Sequence, residues 1–249
     1  MISPVFHRNR THIAALLVQG PAESATSRIV VWDSATAEQL IAIDLTDSVA
    51  QQVGWPFPGG WSTPQLLGYS PDGEELIVAD RAGGVTFYSA ATGVPRRILT
   101  PEGTTLNNFG AWSLSPDGSQ LAVFGLQNQE NEVAADLYDA ATGRRRLRIP
   151  THTIYPPVAV AWNGDGSRVV LLSSGGEAGA VSELAIWDTQ TGRLLLTLRH
   201  EGLQDNQWDR GHMRFTPDGS RLLHVAGNGI PSTELPHPIQ IWDATPVSE

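Results

Sequence analysis

A four-residue turn motif recurs four times along the chain, and this repeat limits the possible folds more than any other feature. The aspartates of the four copies, Asp72, Asp117, Asp165 and Asp218, are separated by 45, 48 and 53 residues. Three copies read Ser/Thr-Pro-Asp-Gly, in which Pro fixes the first corner, Asp bonds the local backbone and Gly accepts a positive φ. An apolar run follows each copy, so each predicts a tight turn that leads into a strand.

A second motif falls between successive turns and ends in an aromatic residue followed by a polar one. Its five copies are Val30–Asp33, Thr86–Ser89, Asp136–Asp139, Ala185–Asp188 and Ile239–Asp243. A short Thr-containing turn follows most of them, as in Thr191-Gly192. The complete repeat therefore predicts four antiparallel strands joined by tight turns.

One four-stranded sheet cannot bury both of its faces, but sheets stacked around a common axis bury each other. The sequence therefore predicts an all-β protein, a β-propeller of about five four-stranded blades that forms a single domain over residues 1–249. The predicted blades cover residues 1–45, 64–100, 108–149, 157–199 and 211–243.

The Ser-Pro-Asp-Gly turns, the Trp-Asp strand ends and the Thr-Gly turns together resemble the WD40-repeat family. TolB-like propellers carry similar Ser-Pro-Asp-Gly turns and are the alternative. The Gly-His dipeptide of WD40 repeats is largely missing, and His200 with Trp187 is its best equivalent. The resemblance implies a propeller whose long-loop rim binds partners. The loss of the Gly-His hydrogen-bond network implies that the blades are held together mainly by apolar stacking.

The pattern gives one strand fewer than five complete blades need, because no outermost strand follows the last Trp-Asp. Three interpretations remain open: a five-bladed, incompletely closed ring, a part of a larger propeller, or a blade completed by another chain. The edge strand at Ile239–Trp242 then predicts pairing with a partner or self-association with another copy.

Composition excludes several classes of function. The chain has 16 Lys and Arg against 26 Asp and Glu, a net charge of −10, which argues against a nucleic-acid partner. Without cysteine there is no disulfide, thiolate nucleophile or cysteine-bound metal. No apolar run is long enough to cross a membrane. The apolar run Ile13–Val18 is too short for a signal peptide, so we expect a cytoplasmic protein.

No motif of enzyme chemistry stands out in the sequence. The seven histidines are not spaced as a His-x-x-x-His metal pair, and Asn163–Ser167 lacks most ligands of a calcium loop. No nucleophile elbow, phosphate loop or dinucleotide fingerprint is present. We therefore expect no metal, no cofactor and no catalytic residues.

Loop length suggests where a partner binds. The turns after the first and third strands of each repeat are short, whereas the loops at the other rim are long and varied. These long loops are predicted at Thr46–Thr63, Thr100–Ala111, Gly125–Asp136, Pro150–Pro157, His200–His212 and Gly227–Pro238. Binding residues concentrate on loops held by a rigid scaffold, which makes this rim the candidate site.

The candidate protein-binding residues are aromatic, with one arginine: Trp55, Phe57, Trp61, Tyr155, Trp208 and Arg210. Exposed aromatics and arginine are typical anchors of interfaces. The alternative is that these aromatics plug the end of the propeller. A stripe at Arg144–Arg148, with Arg96 and Arg97 one blade earlier, fits either an acidic partner or a charged edge that prevents aggregation.

The sequence thus favours a non-enzymatic scaffold that presents its long-loop rim to a protein or peptide. One alternative is a lactonase- or hydrolase-like propeller enzyme with its site at the central mouth. Another is a regulatory or sensing module of a larger kinase or NTPase protein.

Overall fold

A computed structural model describes residues 4–7, 9, 11–19, 26–45, 65–79, 84–100, 110–127, 132–151, 157–175, 181–201, 212–216, 218–225 and 239–243. These residues form strands and turns only, without a helix. The strands make five antiparallel sheets, and the fold class is a five-bladed β-propeller, as the repeat predicts.

Among the described residues, four sheets have four strands each and the fifth has three. The first contains β1 (Pro4–Phe6), β2 (His12–Gln19), β3 (Thr26–Asp33) and β4 (Gln39–Asp44). The second contains β5 (Gln65–Tyr69), β6 (Glu75–Ala79), β7 (Val85–Ser89) and β8 (Pro95–Leu99). The third contains β9 (Gly110–Leu114), β10 (Gln120–Gln127), β11 (Glu132–Asp139) and β12 (Arg145–Pro150).

The last two sheets repeat this order of strands. The fourth contains β13 (Pro157–Trp162), β14 (Arg168–Gly175), β15 (Val181–Asp188) and β16 (Leu194–Glu201). The fifth contains β17 (His212–Phe215), β18 (Arg221–Val225) and β19 (Ile239–Asp243). In every sheet the strands pair in chain order, so we call these sheets blades 1 to 5 and number the strands of each from first to fourth.

The chain divides into two compact units. Residues 1–108 with 140–143 form the first, which holds blades 1 and 2. Residues 109–139 with 144–249 form the second, which holds blades 3, 4 and 5. The single domain expected over residues 1–249 stays a prediction.

Each unit has its core between neighbouring sheets. In the first unit, Ile29 and Val31 of blade 1 pack with Leu76 and Val78 of blade 2. In the second unit, two clusters join blade 3 to blade 4 and blade 4 to blade 5, and the first of these contains Leu137 and Trp187. Successive side chains of a strand point to opposite faces, so the middle strands bury both their odd and their even positions.

One predicted long loop is wrong. Most of Gly125–Asp136 belongs to β10 and β11, which pair from Gln127 opposite Glu132 onward and leave only residues 128–131 as the connection. A strand ladder is held by backbone hydrogen bonds, so polar residues near a hairpin end do not interrupt it.

Candidate functional site

The turns between first and second strands are fixed by side chains that bond the local backbone. In blade 3, Ser115 Oγ donates to Asp117 Oδ1 at 2.6 Å and accepts from the Gln120 amide at 2.9 Å. The Asp117 carboxylate also accepts from the Ser119 amide and hydroxyl. Asn163 in blade 4 and Thr216 in blade 5 accept from the equivalent amide, so three residue types fill one role.

The turns between third and fourth strands use the aspartate of the Trp-Asp motif. Asp188 Oδ1 accepts from the amides of Gln190 at 3.1 Å and Thr191 at 2.8 Å, and from Thr191 Oγ1 at 2.7 Å. Asp33 makes the same three bonds in blade 1. In blade 2 Ser89 takes this place, and its Oγ accepts from the Thr92 amide at 3.3 Å. These carboxylates therefore close turns.

The hydrogen bonds also set the ionisation of the turn aspartates. The Thr216 hydroxyl, followed by the Ser220 amide and hydroxyl, lowers the pKa of Asp218 to about 2. The Ser115 hydroxyl lowers the pKa of Asp117, and the Thr191 hydroxyl lowers that of Asp188. Hydrogen bonds donated to a carboxylate stabilise its charged form, so these aspartates stay ionised at neutral pH.

Connection length separates the two ends of each blade. The described blades contain nine first-to-second and third-to-fourth connections, and every one has five residues. The second-to-third and fourth-to-first connections, which lie at the opposite end of the same sheets, run from four to twenty residues. We call this opposite end the long-connection end. The predicted contrast between short and long loops therefore holds for six of the nine connections at this end, whereas β6–β7, β10–β11 and β14–β15 are joined by five residues or fewer.

The predicted binding residues lie outside the described residues, so their positions stay a prediction. Trp55, Phe57 and Trp61 fall in the connection from β4 to β5, Tyr155 in that from β12 to β13, and Trp208 and Arg210 in that from β16 to β17. All six thus belong to one kind of connection, fourth strand to first strand.

In blade 2 the two arginines of the stripe, Arg96 and Arg97, lie near acidic side chains of the same blade. Arg97 Nη2 lies 3.5 Å from Glu75 Oε2, its guanidinium stacks 3.4 Å above the Phe87 ring, and its Nη1 donates to the Ala140 carbonyl. Arg96 Nη1 lies 3.6 Å from Glu74 Oε2. These contacts favour the interpretation of a solvated, charged edge over that of an anion-binding surface.

Blade 3 contains a buried carboxylate that was not predicted from the sequence. Asp136 on β11 has a side chain with 0% exposure and lies opposite Arg148, while Arg145 Nη1 is 3.6 Å from its Oδ2. Burial raises the pKa of Asp136, against the opposing effect of Arg148, Arg145 and Tyr138. The signal in the sequence is an acidic residue inside the apolar run Ala134–Tyr138.

The described histidines do not form a metal site. His224 is fully buried and stacks on Trp242, with ring centroids 6.1 Å apart, and His7 and His12 lie near each other on blade 1. Among the residues that the structure describes, no three His, Asp or Glu side chains are grouped to hold a metal ion. The same part of the chain contains no helix that could span a membrane.

Comparison with known proteins identifies the fold but not the activity. No family model matches the sequence, and no curated protein matches it. Among solved structures, the chain is similar to hydrazine synthase from Kuenenia stuttgartiensis, with a TM-score of 0.58 and 16% identity. The match covers 92% of this chain and 64% of that one. Because 1069 solved chains share such a likeness, it shows a propeller fold alone.

Proposed function

We propose that this protein is a WD40-like binding scaffold that presents the long-connection end of its blades to a protein or peptide. The Trp-Asp strand ends at Trp32, Trp187 and Trp242 support the WD40 likeness, together with the aspartate-capped turns that follow two of them. The short-turn end serves structure, and the opposite end serves recognition.

The contrast in connection length carries this proposal. Nine connections of five residues show no variation, whereas those at the other end vary fivefold, from four to twenty residues. Insertions in repeat proteins concentrate on one face, and that face is often the binding face. Stacked sheets with buried middle strands supply the rigid support that binding loops need.

The composition of the long connections fits a protein or peptide ligand. The connection of residues 45–64 contains Trp55, Phe57 and Trp61, and the connection of residues 202–211 contains Trp208 and Arg210. Trp, Tyr and Arg dominate the energetics of protein interfaces. The net charge of −10 opposes binding to nucleic acid, whose phosphates would be repelled.

A selection with a phage-displayed library of random peptides tests the proposal. Peptides enriched on the wild-type chain are measured against the double variant Trp61→Ala with Trp208→Ala. We expect the double variant to bind at least about tenfold more weakly, as loss of interface anchors does. The matched control carries Glu38→Ala and Gln190→Ala, two exposed residues of short turns, and should bind like the wild type.

Thermal unfolding of the same variants separates binding from packing. A binding role leaves the unfolding temperature of the Trp61, Trp208 double variant close to that of the wild type. A large drop would mean that the tryptophans plug the end of the propeller, and equal peptide binding by all variants would also refute the proposal.

A further inference from the structure

We propose that β19 pairs antiparallel with β19 of a second copy of this chain, around a two-fold axis at Gln240. The pairing would join two three-stranded fifth blades into one sheet of six strands. It concerns the edge of a blade and is independent of what the long connections bind.

The position outside β19 is one that the other blades fill with a strand. In blades 1 to 4 a fourth strand pairs antiparallel with the third, and the last residue of the third strand donates its amide toward it, as Asp188 does to the Arg193 carbonyl at 2.9 Å. In the described part of blade 5, β19 pairs with β18 alone. An edge strand of this kind is a template for another chain.

Ile241 is exposed at a position that is buried in blades 1 to 3 and partly buried, as Ile186, in blade 4. It lies two residues before the end of its third strand, and the equivalent residues Val31, Phe87 and Leu137 are buried. Ile241 is 56% exposed. A large apolar side chain that is exposed on the outer side of β19 marks a surface that gains from being covered.

Leu196 on the neighbouring blade marks the same gap. Its equivalents on the fourth strands of blades 1 and 3, Ile41 and Leu147, pack closely on the turn glycines Gly93 and Gly192 of the following blade. Leu196 pairs with Ile186, which packs in the cluster that contains Trp242, yet Leu196 is 45% exposed. Its side chain therefore borders the place where a fourth strand of blade 5 would lie.

The four complete blades define which strand fits this place. Each fourth strand puts an Ile or Leu opposite the residue four before the end of the third strand, namely Ile43, Leu99, Ile149 and Leu198. The residue two before the end of the third strand also has an aliphatic partner in three of the four blades. These partners on the fourth strands are Ile41, Arg97, Leu147 and Leu196. In blade 5 these two reference positions are Ile239 and Ile241.

β19 itself meets both requirements in a single register. With Gln240 opposite Gln240 of the second copy, Ile239 lies opposite Ile241 of that copy, and Ile241 opposite Ile239. A register with Ile241 opposite itself would put Ile239 against Asp243. Registers shifted by one residue would mix the two faces of the sheet, since side chains alternate along a strand.

The backbone groups agree with this register. Amides at the last residue of third strands point outward, so by alternation those of Ile241 and Ile239 also point outward, and that of Gln240 points toward β18. The two Gln240 residues then form a non-hydrogen-bonded pair, in which Cα atoms stand about 4.5 Å apart. Ile239 and Ile241 on either side form the hydrogen-bonded pairs.

Cysteine cross-linking tests the register, because the chain contains no cysteine of its own. A disulfide needs Cα atoms about 4.4–6.8 Å apart, so Gln240→Cys should link two copies under mild oxidation. In the same register the two Ile241 Cα atoms lie about 8 Å apart, which is too far for a disulfide. The Ile241→Cys variant should therefore not cross-link. Non-reducing electrophoresis and intact mass read out both variants.

Light scattering of the full chain over a concentration series tests the association itself. The wild type should reach twice its monomer mass of 26.8 kDa. Ile241→Lys should abolish the dimer, whereas Ile98→Lys, at a still more exposed isoleucine on the outer strand β8, should keep it. Circular dichroism should be unchanged in both, since both side chains face solvent.

A dimer with the selective Gln240 cross-link and the selective effect of Ile241→Lys supports the proposal. A wild type that stays monomeric at every concentration overturns it. A dimer that survives Ile241→Lys, or that links Ile241→Cys as readily as Gln240→Cys, overturns it as well.

Discussion

Leu147 packs against Gly192 so closely that a Cβ on the glycine would lie 3.1 Å from Leu147 Cδ1. Gly192 also has a φ of +69°, which side-chain-bearing residues rarely adopt. The fourth strand of blade 3 and the third-to-fourth turn of blade 4 thus meet at a position where two constraints require glycine.

Gly192→Ala should lower the free energy of unfolding by more than the ~1–2 kcal/mol that the left-handed conformation costs an L-residue. The added methyl group must also displace Leu147. Gly219→Ala is the control, because Gly219 has a φ of +71° but no described atom within 4 Å of its Cβ position. Urea unfolding compares the two, and an equal loss in both variants would contradict a role for Leu147.

Ala37→Gly should stabilise the protein. Ala37 has a φ of +58° in blade 1, at the position that Gly93, Gly143 and Gly192 occupy in blades 2 to 4. The substitution removes the ~1–2 kcal/mol of backbone strain that a positive φ costs alanine. The ~0.5–1 kcal/mol entropy cost of glycine partly offsets this gain. Calorimetry should show a higher unfolding temperature for Ala37→Gly and a lower one for Ala35→Gly, in the same turn but without a positive φ. A decrease in both would disprove the strain at Ala37.

Ser115→Ala should destabilise blade 3 by about 1 kcal/mol, because the partly buried Gln120 amide loses its hydrogen-bond acceptor. The serine is almost fully buried, and its hydroxyl accepts from the Gln120 amide. Ser115→Thr keeps the hydroxyl and should cost much less, since Thr216 fills this place in blade 5. Similar losses for both variants in urea unfolding would show that the hydroxyl is not the cause.

Asp136→Asn and Asp218→Asn should change the pH dependence of stability in opposite directions. Burial raises the pKa of Asp136, so its contribution to stability is complete below the usual value of 3.8 and is lost as pH rises through the raised pKa. The variant Asp136→Asn should therefore gain stability relative to the wild type as the pH rises toward neutral.

The pKa of Asp218 is lowered to about 2, so its contribution is present above 3.8 and is lost as pH falls toward 2. Asp218→Asn should be less stable than the wild type at neutral pH, and the gap should close in acid. Denaturant unfolding at a series of pH values measures both differences, and parallel pH curves would contradict them.

The repeat architecture was readable from the sequence because its turns are local. Pro, Asp and Gly at fixed spacing specify a turn without help from distant residues, and the turn at Asp117 forms as expected. The pattern gives three strands for the last repeat, and the described part of blade 5 has three strands. The continuous apolar runs that follow the turns then mark the strands.

Contacts that depend on the register between strands could not be predicted from the sequence. Glu75 meets Arg97 because β6, β7 and β8 lie side by side, and nothing in the local sequence pairs residues so far apart along the chain. Asp136 looked like an ordinary strand residue, since its burial depends on the sheet around it. The polar residues near Gln127 suggested a loop, because loops are commonly polar. Their backbones nevertheless pair in the β10–β11 ladder, and side-chain polarity does not reveal such pairing.

The nine five-residue turns have a consequence for how this chain tolerates change. The five-residue turns hold the strands of each sheet in register at one end. A connection at the other end can therefore lengthen or shorten while every strand keeps its partner. Hairpins β10–β11 and β18–β19 already do so, with four and thirteen intervening residues in otherwise similar pairings. Segments of different lengths inserted into these connections would therefore leave the strand pairing unchanged. One residue added to a turn such as 189–193 would instead shift the register of the strands that it joins.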